Sequence, residues 1–590
     1  MQLAHQRRIF QHGVGFQGSH EARAGQALGH GFCGLETKFL APVPARLLAS
    51  ASSRSARCEP MPSNSSASAS AVAASYDEVP YPSSSFPQTH PSRLAAMARL
   101  LGVPAPAPST ARVLELGCSD GGNLIPMAAR SPGATFLGID ASNAQIAAGR
   151  SVVSALELSN IELRQQDILD FAPAEGRFDY IIAHGVYSWV PAPVREKILA
   201  IAAANLAPNG IAYVSYNAMP GSGIRLMLRD LAFFHARKIT DPNGKARRAR
   251  ELLTTLAGPM AEDNLPHIVL FRQEFGYVER SPELYFRHDL MEEENHAFYF
   301  HEFVAAATRH QLQYVSEPSL WEILPTHLGA KARAALGKCE HWLDLEQQMD
   351  FLRFRSFRQT LLCHAAIPVR RQITAKAIKE FAFEAHFRGP AEGVDLTPGV
   401  PVKFTVDEAS HFSTPQPFIK AAMQALSETP GQSIGYAALV EEASRRLPQS
   451  ARAPGDKGRD EIALMNDLMQ AVAAGMIEIH FAPLGPAPMV SDKPRASPLT
   501  RYQATNSDRV TNWVHAAIAM DPVPRHVIAA CDGNRTIDDI FEVLLTAIAD
   551  GRLSIADGAQ SITDRKQLTD VLRPQISRII ADCTRLGLMG

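Results

Sequence analysis

The 590-residue chain is short of cysteine, has no charge excess of either sign and contains no long apolar run. Its seven cysteines are Cys33, Cys58, Cys118, Cys339, Cys363, Cys531 and Cys583. They are odd in number, scattered and never spaced C-x-x-C, which argues against a disulfide or zinc framework and for reduced thiols in a cytoplasmic setting. With 58 Lys and Arg against 60 Asp and Glu, no basic field exists to hold nucleic acid. Charges interrupt every apolar stretch before it reaches membrane-spanning length, so no membrane insertion is expected. No Gly-Lys-Ser/Thr follows a glycine turn, which removes a P-loop. The length suits about three or four domains.

What is present centres on Arg112 to Asp140, RVLELGCSDGGNLIPMAARSPGATFLGID. The short apolar run Val113-Leu114-Glu115-Leu116 has the length of a buried strand. The turn Gly117-Cys118-Ser119-Asp120-Gly121-Gly122 follows, then a helical pattern and a second apolar run ending on Asp140. Strand, glycine turn, helix, strand and acid form the layout of a nucleotide-binding β-α-β unit. Glycine lets a ligand approach the backbone, the helix start offers free N–H groups, and the acid can accept ribose hydroxyls.

The rhythm continues. Asn143 to Leu158 reads as a helix, and Ile161 to Arg164 as a strand followed by Asp167, placed to accept from an adenine amino group. Phe178 to Ala183 and Ile211 to Tyr216 read as the fourth and fifth strands, with a helix over Val194 to Leu206 between them. Five parallel strands in this order make a doubly wound α/β sheet, whose ligands sit at the strands' carboxyl ends. Ahead of the sheet, Tyr76 to Pro91 is rich in proline and aromatic residues and reads as an extended lid. Residues before Tyr76 have the composition of a disordered segment, and translation is expected to start at Met61.

The turn E-L-G-C-x-x-G-G with its strand-end acid resembles the first motif of class I S-adenosylmethionine-dependent methyltransferases. Ser119 stands where their usual G-x-G-x-G has its middle glycine. YDEVPYPSSSFPQTHP, HGVYSWVP, SYNAMPG, Tyr285 to Phe303, Asp350 to His364 and TNWVH (Thr511 to His515) extend the likeness. Together they resemble the methyltransferases that carry a methyltransferase regulatory domain, a group that includes bacterial lysine methyltransferases acting on outer-membrane proteins. The resemblance implies S-adenosyl-L-methionine as cofactor at Gly117, Asp140, Asp167 and His184, and a protein lysine as acceptor. The expected cofactor site is completed by Tyr81, His90, Glu115, Cys118, Ser119, Gly121, Asn123, Ala141, Ile168 and Gly185.

An amine must lose a proton before it can accept a methyl group, and a desolvated pocket of rings and polar acceptors serves that end. Tyr187 and Tyr216 are expected to line the acceptor pocket, with Trp189 and Asn217 beside them on the substrate side. No dedicated base is evident. Around His288 to His301 lies an acid and histidine cluster whose spacing matches no standard metal site, so no metal is expected.

The domain plan predicted is a terminal segment (1–75), a Rossmann-like methyltransferase domain (76–223), a helical insertion that could pair two copies (224–280) and a return to the core (281–325). A helical middle domain (326–405) and two winged-helix-like modules (406–495 and 496–590) complete it. Mixed charges on those modules favour protein contact over DNA. Glu340 to Ala375 reads as helical with a basic face of Arg353, Arg355, Arg358, Arg370 and Arg371, Pro208-Asn209-Gly210 as a turn, and the last module as opening with a helix at Thr511. Two other readings stay open: a protein that holds the cofactor without transferring methyl groups, and a small-molecule methyltransferase.

Overall fold

The computed structural model describes residues 83–590 except 261–264, 281–285, 287–288, 293, 408–409, 449–456, 487–490, 558–559 and 563. The terminal segment, Tyr81, His288 and Glu293 lie outside the described residues. Strands β1 (Arg112–Leu116), β2 (Thr135–Asp140), β3 (Ile161–Gln165), β4 (Phe178–Ala183) and β5 (Leu206–Ala218) are parallel, in the order β3-β2-β1-β4-β5. The short β6 (Ala297–Phe298) pairs with the tip of β5. Two later strands, β7 (Leu312–Ser316) and β8 (Phe357–His364), finish the sheet as β5-β8-β7, with β8 antiparallel to both neighbours. The expected Pro208-Asn209-Gly210 turn falls inside β5, where the pairing register with β4 shifts.

Helices cover both faces. They are α1 (Pro91–Leu100), α2 (Leu124–Arg130), α3 (Asn143–Ala155), α4 (Ala192–Asn205), α8 (Phe300–Arg309) and α9 (Trp342–Arg353), while the insertion helices α5 (Gly223–Ala236), α6 (Pro242–Met260) and α7 (Pro266–Arg280) pack on one another around a core of their own. Side chains alternate across the strands as a pleat requires: Ile211 and Tyr213 of β5 join the core on the α1 face, whereas Ala212, Val214 and Tyr216 join the core that contains α4 and α8.

The expected helix from Glu340 to Ala375 is corrected. Only Trp342–Arg353 is helical, and Phe357–His364 is a central strand of the sheet. Leu361 and Cys363 enter one core and Leu362 the other, the two-sided burial of a strand flanked on both edges. Arg358 is therefore not part of a basic face. It is fully buried, 2.8 Å from both Asp350 and Glu317 and 3.0 Å from Glu346, and lies over the Phe300 ring.

The middle module, with helices at Pro417–Ser427, Tyr436–Arg446 and Lys457–Ala473 and the strand pair Ala382–Ala385 and Ile477–His480, shares one continuous core with the α1 face of the sheet. Within that seam Arg93 of α1 meets Glu478 at 2.8 Å, both nearly out of solvent. The last module was expected to open with a helix at Thr511. A hairpin, Arg509–Thr511 with Ala517–Ala519, comes first, and the helix begins at Pro522, where a missing N–H costs nothing. Helices Ile537–Ala549 and Arg565–Arg585 follow. Among the described residues no helix is long and apolar enough to cross a membrane.

Removing one partner of a buried ionic cluster leaves the others charged and desolvated. Arg358→Ala should cost about 3–5 kcal/mol of stability, read as a lower midpoint in chemical denaturation; a change within about 0.5 kcal/mol, typical of a surface site, would show the cluster to be inert.

Candidate active site

The glycine turn after β1 is shaped by close packing. The N–H groups of Gly117 and Cys118 both bond the Ile139 carbonyl, at 2.9 and 3.0 Å. A β-carbon on Gly117, at φ 74°, would stand 2.6 Å from Val186 Cγ2. Ser119 also has a positive φ, 53°, the left-handed region that the family's glycine would occupy without strain. Its N–H donates to Asp140 Oδ2 at 2.8 Å, and Ser142 N–H donates to Oδ1 at 2.9 Å. Asp140 thereby closes the β1 turn onto the tip of β2.

Cys118 packs its buried sulfur below the turn, and burial raises its thiol pKa well above the ordinary range. A β-carbon on Gly138 would lie 2.7 Å from that sulfur. Glu115 is buried beneath the turn, and its Oε1 accepts from Asn123 Nδ2 at 2.8 Å. Burial pushes the Glu115 carboxyl up to about 8. Glu115 Oε2 and Ser119 Oγ are buried polar atoms without a hydrogen-bond partner among the described residues. One belongs to the turn and the other lies beneath it, and orphaned polar atoms of this kind suit a polar ligand.

The other predicted positions fall into two groups. Asp167 stands half-buried at the end of β3, where Oδ1 caps a short turn through Leu169 N–H at 2.9 Å. Ile168 packs below it, and the Ala141 carbonyl accepts from Gln165. Gly185 is exposed at φ 70°, with open space where a β-carbon would be. Its N–H is held by Ser215 Oγ at 2.8 Å. His184 Nδ1 lies 3.0 Å from Tyr213 Oη, whose own proton goes to Gln359 Oε1 at 2.9 Å. The Tyr213 oxygen therefore accepts from His184, so Nδ1 carries the proton and Nε2 is left with a lone pair. These groups, with Gly121 at φ 80°, share the carboxyl ends of β1 to β4.

The second group lies deeper in the fold. His90 N-caps α1, its Nδ1 accepting from Ser92 N–H at 3.2 Å, and its ring lies 5.3 Å from that of His515. Asn123 is buried with both amide ends engaged. Tyr187 and Tyr216, expected to line the acceptor pocket, are 4% and 1% exposed. Tyr216 stacks on Phe303 with ring centroids 4.2 Å apart, and Tyr187 packs edge-on against Phe298 and Phe303. Their side of the pleat is the α4 and α8 face, filled by helices. Trp189 and Asn217 stay half-exposed.

Sequence reasoning missed the serines that join these loops. Ser83 Oγ accepts from Gly122 N–H at 2.9 Å, bringing the strap before α1 over the glycine turn. The Phe86 ring lies 4.3 Å from that of His184. Buried Ser188 accepts from Asn217 N–H at 2.8 Å, and its carbonyl accepts from His296 N–H at 2.9 Å. Serines in S-S-S-F and Y-S-W carry no local pattern that marks these roles. In the acid and histidine cluster, Asp289 bonds Tyr277 and Glu294 bonds His296 at 2.6 Å. Among the described residues no group of three or more His, Cys, Asp or Glu is arranged to hold a metal.

A parallel sheet finished by an antiparallel strand, with a glycine turn after β1 and acids at the ends of β2 and β3, defines a class I methyltransferase. Family models match in three places: a methyltransferase domain over 113–210, a predicted methyltransferase regulatory domain over 282–364, and the PKMT C-terminal winged helix domain over 492–588. The protein RP789 of Rickettsia prowazekii is 34% identical over 518 residues, covering 86% of this chain and 93% of that one. The structure of PKMT2 from Rickettsia typhi in complex with AdoHcy matches with TM-score 0.78 and 29% identity, over 86% of this chain and 100% of that one. A trans-aconitate 2-methyltransferase of Variovorax paradoxus is 31% identical over 26% of this chain and 56% of its own length. The chain belongs to the class I S-adenosylmethionine-dependent methyltransferases that carry a methyltransferase regulatory domain.

Burial holds the His184 imidazole down to about 4 from 6.5. A depressed histidine contributes its stability in full above the unfolded value of 6.5 and loses it as pH falls toward 4. His184→Gln abolishes that titration. Its stability relative to wild type should rise below pH 6.5 by at most roughly 1.4 kcal/mol per pH unit, measured by urea unfolding at pH 7 and pH 5; a difference that stays constant with pH would refute it.

Proposed function

We propose that this methyltransferase transfers methyl groups to lysine side chains of a protein. The observation that carries this reading is the likeness to PKMT2, which runs along 86% of the chain. It includes the C-terminal module matched by a PKMT winged helix domain. PKMT is read here as protein lysine methyltransferase. The likeness to trans-aconitate methyltransferase covers only about a quarter of the chain, so the small-molecule reading gains nothing from the extra modules.

In the proposed site, Asp140 accepts the ribose hydroxyls while its remaining lone pairs hold Ser119 and Ser142. Asp167 offers its second oxygen to the adenine amino group. Glu115 Oε2 and Ser119 Oγ, the orphaned atoms in and beneath the turn, meet the polar end of the cofactor. The cofactor, when bound, supplies an electrophilic methyl group on a sulfonium. The chain supplies alignment and a dry site for an in-line displacement. Trp189 and Asn217 border the acceptor's approach. His184 Nε2 accepts a hydrogen bond from the incoming amine; with its pKa held near about 4 it orients that amine and is too weak a base to deprotonate an ammonium. Loss of the lysine proton is assigned to desolvation.

The insertion is proposed to pair two copies of the chain. On α5, Met227, Leu231 and Phe234 recur at helical spacing along one face and are 55%, 37% and 63% exposed. Leu265 and Leu270 nearby are exposed as well.

Three experiments test these readings. Asp140→Ala should lose S-adenosylhomocysteine binding in calorimetry by at least about 100-fold, as expected when two charge-assisted bonds are lost. Wild-type protein incubated with methyl-labelled cofactor and a cell-envelope extract should label a protein band at lysine. Label found only in small molecules would reject a protein acceptor. Phe234→Asp should turn a dimer into a monomer in sedimentation velocity, and an unchanged sedimentation coefficient would dismiss the pairing.

A further inference from the structure

The C-terminal module reaches the methyltransferase domain beside the glycine turn through the loop Thr511-Asn512-Trp513-Val514-His515. Arg130, the last residue of α2, donates from both terminal nitrogens to the carbonyls of Thr511 and Asn512. Its guanidinium also lies 4.9 Å over the Trp513 ring. Ser85 Oγ stands 3.2 Å from Thr511 Oγ1. His515 takes a left-handed φ of 68°, costly for a residue with a β-carbon. Its imidazole is 1% exposed.

That imidazole reaches the methyltransferase domain. His515 Nε2 lies 2.9 Å from Asn123 Oδ1. An amide oxygen only accepts, so Nε2 carries the proton. The same oxygen accepts from Phe86 N–H at 3.0 Å. Two donors on the oxygen fix the flip of the amide, and Nδ2 is left to donate to Glu115 Oε1 at 2.8 Å and Thr89 Oγ1 at 3.0 Å. Glu115 is then held by one oxygen, with Oε2 buried and unpartnered beneath the turn. Thr89 Oγ1 also lies 3.1 Å from Asn123 Oδ1, but its proton has the nearer Phe86 carbonyl at 2.8 Å; His515 is the donor that the C-terminal module brings.

We propose that His515 is a positioning residue of the cofactor site: it acts from the C-terminal module, through Asn123, to set the Glu115 carboxyl. The methyltransferase domain then binds its cofactor tightly only while that module is docked, and the winged-helix module is a working part of the site. This rests on the cofactor reading given above. A cavity of about 320 Å³ lined by His90, Arg130, Trp513 and His515 borders the imidazole, so trimming the ring enlarges an existing space.

The test is calorimetric titration of the full chain with S-adenosylhomocysteine, alongside thermal midpoints without ligand. His515→Ala should weaken binding about ten-fold, the scale of one lost buried hydrogen bond. His515→Gln, whose amide N–H can donate to the same oxygen, should restore most of it. Arg130→Met, which frees the loop and leaves the relay groups in place, should weaken binding as His515→Ala does, and the double variant should add nothing further. Wild-type affinity in His515→Ala overturns the proposal, and so does a Gln variant no better than Ala at equal midpoints. Should His515→Ala fail to fold, Arg130→Met decides, and unchanged affinity there overturns the proposal. Wild-type protein that takes up no S-adenosylhomocysteine sinks the cofactor reading itself, a different failure from normal binding in the variants.

Discussion

One buried amide constrains the part of the molecule where chemistry is expected. Asn123 accepts from the strap before α1 and from the C-terminal module, and donates to the carboxyl at the end of β1. Removing any partner leaves a desolvated polar atom, which costs more than the bond itself contributes. Three stretches far apart in sequence must therefore settle together for the glycine turn to take its shape. Ser83 on Gly122 N–H and Arg130 on the loop carbonyls reinforce the same closure from either side.

A second constraint lies across the sheet. Arg358 gathers three carboxylates from the β7 end and from α9, and these belong to the segment matched as a regulatory domain, 282–364. That segment supplies β6, β7 and β8, so three of the sheet's strands come from it. Arg93 and Glu478 tie α1 to the middle module in the same manner. The family models thus divide what is physically one core: the regulatory segment completes the sheet edge, and the middle module buries α1.

Local rules made the first five strands, the glycine turn, Asp140 and Asp167 readable, because each is set by period, length and turn chemistry within a few residues. β8 was hidden because it carries Arg358 in a strand that is buried on both faces, and Glu317, Glu346 and Asp350 make that tolerable. The burial of Tyr216 was hidden for a related reason. Alternation along β5 separates Tyr213 from Tyr216, but it does not say which face a helix covers. Phe303, which fills that face, comes from α8, far along the chain. His515 was legible only as part of a motif; its role depends on a contact with Asn123, and no local pattern predicts one so distant in sequence.

The charges around the turn follow a consistent logic. Burial keeps the imidazoles of His90 and His184 neutral, lowered to about 3 and about 4, and holds His515 well below its ordinary range. Glu115 is pushed up to about 8, so near neutrality its carboxyl is mostly protonated. The polar network under the turn is therefore close to uncharged, and the field at the strand tips is set by Asp120, Asp140 and Asp167. On the proposed reading these acids face a cofactor that carries a sulfonium and an ammonium against one carboxylate, a net positive ligand. Transfer of the methyl group removes the sulfonium charge. The same acids then attract the product less than the reactant, so an acidic rim over a neutral floor favours both uptake of the charged cofactor and release of what remains of it.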